Sequence, residues 1–154
     1  TRIRGTVQQR MPSHVPVSRL TPGKNGCMGV GVPFGIGAKL AHPDRTVVVV
    51  TGDFAFGLNA MEMETAVRLR VPILVVVSNN DGNGGGRSER KFYPGNADRV
   101  TIFQPGIRYE EIMRAFGGHG ARVEDPDDLV PALEQAAASG VAACLNVRVR
   151  THEA

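Results

Sequence analysis

At 154 residues, with 42% hydrophobic and 21% charged, the chain has the balance of one soluble globular domain, long enough to bury about two-thirds of the surface its unfolded form exposes. Its net charge of +3 comes from scattered basic residues, which argues against nucleic acid as a partner, and no apolar run nears the ~20 residues that span a bilayer. The two cysteines, Cys27 and Cys144, lack C-x-x-C spacing; they argue against a zinc site or a disulfide framework and read as reduced thiols suited to a cytoplasmic protein.

Residues 1–25 carry little periodic hydrophobicity and contain Pro12, Pro16 and Pro22, so residues 1–20 are read as an extended lead-in. The stretch "GCMGVGVPFGIGAKL" (26–40) is apolar and rich in small residues. Each glycine costs a helix interior roughly 1 kcal/mol relative to alanine, so a helix forms here only if tertiary packing holds it. "RTVVVVTGD" (45–53) is a β-branched run ended by glycine and aspartate, the pattern of a strand buried on both faces. "NAMEMETAVRLR" (59–70) has helical spacing, with Ala60, Met63 and Val67 on one face and a Glu64–Arg68 pair on another. Val71-Pro72 ends that helix, and "ILVVVS" (73–78) is a second buried strand. Strand, helix, strand with short joints predicts a right-handed βαβ unit with parallel strands.

The glycine-rich "NNDGNGGG" and a long loop to about Pro105 follow. "YEEIMRAFGG" (109–118) predicts a helix with Ile112, Met113 and Phe116 on its apolar side and Gly117 as the stop. After the short strand "ARV", Asp125 and Pro126 open the helix of "EDPDDLVPALEQAAASG", and "ACLNVRV" (143–149) closes as a last strand. The alternation predicts an α/β fold, a parallel sheet with helices on both faces, as a single domain over 1–154.

In a parallel sheet, ligands bind beyond the carboxyl ends of the strands. Asp53 ends the first core strand and Asn80 the next, so a carboxylate and an amide oxygen can face one cation. Both are hard donors that suit Mg²⁺ or Ca²⁺, and the Gly82 carbonyl can add a third ligand. The N–H groups of "FAFGL" (54–58) and of the Gly82–Gly86 loop supply an anion site beside them. Either feature alone is an ordinary helix cap or turn; together at successive strand ends they point to a metal and a phosphate. "GVGVPFGIG" is no dinucleotide loop, because it precedes the strand and contains Pro33. A nucleotide-binding or purely structural α/β module stays open as an alternative.

"GDFAFGLNAMEMETAVRLRVPILVVVSNN" resembles the GDG…NN motif of thiamine-diphosphate-dependent enzymes, and the resemblance spans residues 19–149. The chain is similar to the C-terminal diphosphate-binding domain of the acetolactate synthase-like group. "GCMGVGVPF", "NNDG" and "FQPGIRYEEIMRAFGGHG" look closest to 2-hydroxyacyl-CoA lyase and oxalyl-CoA decarboxylase. The resemblance implies thiamine diphosphate and Mg²⁺ as cofactors, with the metal held by Asp53, Asn80 and the Gly82 carbonyl. Cofactor contacts would fall on Gly26, Cys27, Met28, Gly52, Asp53, Phe54, Ala55, Asn80, Gly82, Asn83 and Gly84, with Met28 supporting the bent cofactor. Phe54 stands where the family has glycine.

The resemblance implies no catalytic residue in this chain, because the family's activating glutamate lies on a pyrimidine-binding domain. That domain has no counterpart here, and the diphosphate domain's own opening strand and helix also lack one; the chain is read as N-terminally incomplete, a fragment or one subunit of a split enzyme. A partner domain or subunit in a homo- or hetero-oligomer, a dimer of dimers among the options, is implied, as is an acyl-CoA substrate. Arg87, Arg90 and Lys91 are surface charge by default and CoA-phosphate contacts by alternative. The expected activity is C–C lyase or ligase chemistry on a 2-hydroxyacyl-CoA; acetolactate synthase or another 2-oxo-acid decarboxylase is the alternative.

Overall fold

A computed structural model of the chain describes residues 3–16, 18–83 and 101–149. Its elements are α1 (Ile3–Arg10), α2 (Gly31–Ala41), β1 (Val47–Gly52), α3 (Asp53–Leu58), α4 (Glu62–Arg68), β2 (Ile73–Asn79), α5 (Tyr109–Ala115), β3 (His119–Val123), a 3-10 turn at Pro126–Asp128, α6 (Leu129–Ala138) and β4 (Ala143–Arg148). The strands form one parallel sheet in the order β1-β2-β4-β3, as expected for the class. β4 is therefore inserted between β2 and β3, and Val77 faces Asn146 while Asn79 faces Arg148.

One face of the sheet carries the larger core. Val49, Val75, Val77 and Cys144 pack there with Val32 and Ile36 of α2, Phe56 of α3, Met63 of α4 and Met113 of α5. On the other face α6 lays Ala132, Leu133 and Ala136 against Leu74, Ala143 and Leu145. Each fully buried aliphatic side chain contributes about 1.5–3 kcal/mol of transfer free energy, so these two layers are the main source of stability.

The glycine-rich segment does become a helix, and packing is the reason. A Cβ on Gly35 would sit 2.4 Å from Val49 Cγ2, so the bare backbone lets α2 lie directly on β1. At the end of α4, Arg70 takes a left-handed conformation (φ 55°) and the Val71 N–H donates to the Ala66 carbonyl, closing the turn before Pro72. The Glu64–Arg68 pair forms at 3.0 Å. Gly117 (φ 89°) stops α5, with the Gly118 N–H returning to the Met113 carbonyl, and the Asp125 carboxylate caps the 3-10 turn by accepting from the Asp127 N–H.

Three expectations change. Residues 1–20 are not wholly extended: Ile3–Arg10, free of proline until Pro12, form α1 beside β1. The segment 53–70 is two helices, split at Asn59–Met61, where the Asn59 N–H bonds back to Phe56 and its side chain donates to the Gly29 carbonyl at 3.0 Å. β1 is not buried on both faces; α6 covers β3 and β4, and Val48 remains 48% exposed. Among the described residues, no helix is long and apolar enough to cross a membrane.

Candidate metal site at the ends of β1 and β2

β1 and β2 are direct neighbours, with Gly52 opposite Ser78, so the residues that follow each strand emerge side by side. Asp53 is fully buried at the first residue of α3. Its Oδ2 accepts from the Gly82 N–H at 2.8 Å and its Oδ1 from the Phe54 N–H at 2.9 Å. The terminal amide of Asn80 lies 3.3 Å from Asp53 Oδ1 and 3.0 Å from the Gly82 carbonyl oxygen. With its nitrogen turned to them the amide donates to both. With its oxygen turned to them three oxygens face one another, and a cation between them balances the set.

The electrostatics favour a cation. Burial pushes the Asp53 carboxyl above its ordinary value; the backbone N–H groups of Gly82, Phe54 and Asn80 pull it back in part, and the charge of Asp81 pushes it up again. A buried carboxylate of this kind gains from a positive ion that restores the solvation lost on burial. Among the described residues there is no cluster of three or more His, Cys, Asp or Glu side chains that would hold a metal, so this mixed oxygen set is the candidate. Adjacent ligands of a Mg²⁺ octahedron with bonds of about 2.0–2.1 Å stand about 2.9 Å apart, which the 3.0 and 3.3 Å separations approach.

The turn that carries Asn80 and Gly82 is itself held in place. Asp81 adopts φ 56°, which an aspartate tolerates in a turn, and the Asn79 side-chain oxygen accepts from the Asp81 N–H at 3.0 Å. Gly82 pairs in an antiparallel bridge with Ile102, and a Cβ there would meet the Thr101 carbonyl oxygen at 2.2 Å. The glycine at 82 thus serves approach of its own chain. Its N–H donates to Asp53, as does the Phe54 N–H.

Four polar residues that the sequence reading left out surround this turn. Asn79 and Asn146 are fully buried and bonded to each other at 3.0 Å. Asn146 also donates to the Ile107 carbonyl at 3.0 Å and to Oε2 of the buried Glu110 at 2.7 Å. Arg148 grips Asp81 with two hydrogen bonds. The available signal was the pair Asn146 and Arg148, two apart in an otherwise apolar strand, which puts both on one face of β4.

The other expected contacts are more dispersed. Phe54 needs no glycine freedom because it sits in α3, and its ring stacks on Phe103 at 6.0 Å. Ala55 follows it, half-buried, and Gly52 ends β1. Gly26, Cys27 and Met28 lie on the loop before α2, which docks through Gly29 against Leu58 and Asn59 at the far end of α3. Cys27 is exposed and Met28 is 53% exposed. Asn83 is half-buried, its N–H bonded to the Thr101 carbonyl. Gly84, Arg87, Arg90 and Lys91 lie outside the described residues.

A family model described as "Thiamine pyrophosphate enzyme, C-terminal TPP binding domain" matches residues 3–147. A probable acetolactate synthase of Mycobacterium bovis is 43% identical over 135 residues, covering 88% of this chain and 24% of that protein. A 2-hydroxyacyl-CoA lyase of Oryza sativa is 44% identical over 136 residues, covering 86% and 24%. The chain spans about a quarter of the length of these curated relatives. A solved thiamine diphosphate-dependent 4-hydroxybenzoylformate decarboxylase of Rhodococcus jostii superposes with a TM-score of 0.72 at 27% identity, over 84% of this chain and 24% of that one. The chain belongs to the family of thiamine pyrophosphate enzyme C-terminal, thiamine pyrophosphate-binding domains.

Proposed function

We propose that this chain holds thiamine diphosphate through Mg²⁺ as part of a C–C bond lyase or ligase acting on 2-hydroxyacyl-CoA. The observation that carries the reading is the convergence of Asp53 Oδ1 and the Gly82 carbonyl on the Asn80 amide, at 3.3 and 3.0 Å. Mg²⁺ takes a few protein oxygens and completes its shell with phosphate and water, which matches a set of three donors at a strand-end crevice. The cofactor, when bound, supplies an electron sink for the carbanion that C–C cleavage leaves. The residues of this chain bind and orient it: Asp53 supplies the full negative charge, while Asn80 and Gly82 supply neutral oxygens.

The cleft needs a second wall. Met28 and Leu58 stand 53% and 51% exposed where the loop before α2 meets the end of α3, which supports closure by a pyrimidine-binding domain or subunit in an oligomer. The activating acid is assigned to that partner. A cytoplasmic location accords with two free cysteines.

Acetolactate synthase chemistry is the second reading, because the Mycobacterium bovis relative is as similar as the lyase. Calorimetry on the assembled protein tests the site: Asp53→Ala and Asn80→Ala abolish Mg²⁺-dependent binding of thiamine diphosphate, and unchanged binding in both refutes it. Assays with a 2-hydroxyacyl-CoA, read as aldehyde release, and with pyruvate separate the two activities.

A further inference from the structure

The polar chain behind the metal turn has a direction, and that direction has a consequence for the site. Glu110 is fully buried on α5, where Gly120 lets the helix backbone lie against β3; a Cβ there would meet the Glu110 carbonyl oxygen at 2.2 Å. Its Oε1 accepts from Arg108 Nε at 2.9 Å and its Oε2 from Asn146 Nδ2 at 2.7 Å. Burial works to raise the Glu110 carboxyl, but the bonds from Asn146 and Arg108 outweigh it and hold the group below the ordinary carboxylate value.

An ionised carboxylate accepts and never donates, so it fixes which end of the Asn146 amide faces it. Nδ2 of Asn146 must point at Glu110, which turns Oδ1 towards β2. There Asn79 Nδ2 donates to it at 3.0 Å, which in turn leaves Asn79 Oδ1 to accept from the Asp81 N–H at 3.0 Å. The Glu110 charge, together with the Ile107 carbonyl that accepts from both amides at 3.0 and 3.4 Å, thereby sets two amides in series that end on the backbone between Asn80 and Gly82.

We infer that Asn146, oriented by Glu110 and acting through Asn79, is a positioning residue that presets the turn presenting Asn80 and the Gly82 carbonyl to Mg²⁺. The inference rests on the metal reading above. Without the Asn146 bond the Asn79 amide keeps only the longer 3.4 Å contact to the Ile107 carbonyl on its donor side, so the orientation that accepts from the Asp81 N–H, and with it the turn, is held less firmly. Partners behind metal ligands are typically worth 10–100-fold in metal affinity.

The test titrates Mg²⁺ calorimetrically into the assembled protein at saturating thiamine diphosphate. Asn146→Ala and Asn79→Ala each raise the apparent Kd for Mg²⁺ about ten-fold. The double variant is no worse than the poorer single, because both remove one linkage. Excess Mg²⁺ restores kcat while the KM for cofactor at low Mg²⁺ stays high. Leu145→Ala, on the opposite face of β4, lowers stability without moving the Mg²⁺ response. Glu110→Gln keeps the side-chain volume but removes the charge, leaving the Ile107 carbonyl alone to orient the Asn146 amide; it shifts the Kd in the same direction and serves if Asn146→Ala does not fold. An unchanged Mg²⁺ Kd in these variants, or additive effects in the double, overturns the inference. Asp53→Ala separates the two readings: if it leaves the response intact the metal site itself fails, and if it alone abolishes the response only the positioning role fails.

Discussion

Arg148 at the end of β4 and Asp81 in the turn after β2 are joined by two hydrogen bonds, 2.5 Å from Nη1 to Oδ1 and 2.7 Å from Nη2 to Oδ2. The pair bridges neighbouring strands, and Asp81 Oδ1 also accepts from the Gly106 N–H at 3.2 Å. Bidentate guanidinium–carboxylate contacts combine charge with fixed geometry, so this pair anchors the Asn80–Gly82 turn and the 101–107 segment together.

The Arg148 guanidinium holds the Asp81 carboxyl below its ordinary value, outweighing the effect of partial burial. A depressed carboxyl contributes stability that is full above the unfolded value, near 3.9, and is lost as pH falls through the folded value. Arg148→Met is therefore expected to be less stable than the parent at pH 7, and the gap should close as the pH drops below about 4. Acid unfolding followed by circular dichroism reads this directly; two curves that stay equally separated down to pH 2 would assign the loss to packing instead.

Gly82→Ala forces a methyl group against the Thr101 carbonyl, 2.2 Å away, where the neighbour is backbone and cannot rotate aside. The expected outcome is loss of the bonds from Asn83 to Thr101 and from Phe103 to Asp81, at a cost of about 1–3 kcal/mol. Because Gly82 also donates to Asp53, Mg²⁺-dependent binding of thiamine diphosphate should weaken alongside. Denaturant unfolding and calorimetry give the two numbers; a variant as stable and as tight as the parent refutes the account.

Gly35→Ala is a contact problem of a different kind, since the atom in the way, Val49 Cγ2, belongs to a side chain. Overpacking here should destabilise by about 1–3 kcal/mol, and Val49→Ala should recover part of it by making room. A double-mutant cycle in urea measures the coupling. Simple additivity would mean that α2 does not rest on β1 through this pair.

Burial pushes the Cys144 thiol up to about 12, with the Glu110 charge adding to the effect, so almost no thiolate exists at pH 8. Iodoacetamide should leave Cys144 unmodified in the native protein and label it only after unfolding. Peptide mass mapping after timed exposure decides the matter, and rapid native labelling would place Cys144 outside the core.

The βαβ unit around Asp53 was legible because its signals are local. A β-branched run ended by Gly52-Asp53, a helix-period segment and a second run ended by Asn79-Asn80 together imply parallel strands and a shared strand-end crevice. Helix stops at Gly117 and the cap at Asp125 were readable for the same reason, since each depends on a few adjacent residues. α1 is not legible in the sequence because its eight residues carry no clear apolar face and are followed by Pro12, Pro16 and Pro22.

Glu110 shows where local reading stops. In sequence it is one of two glutamates in a first helical turn, where solvent exposure is the ordinary outcome, yet it is the buried end of a polar chain. Asn79 and Asn146 lie 67 residues apart and meet only because β4 inserts beside β2. Nothing in the pattern of either strand says which will be its neighbour, since parallel strands of similar length and hydrophobicity are nearly interchangeable as partners. Local chemistry pointed to the residues proposed to ligate a cation at the ends of β1 and β2. Strand order, which no local pattern specifies, decided which buried side chains pack behind that turn.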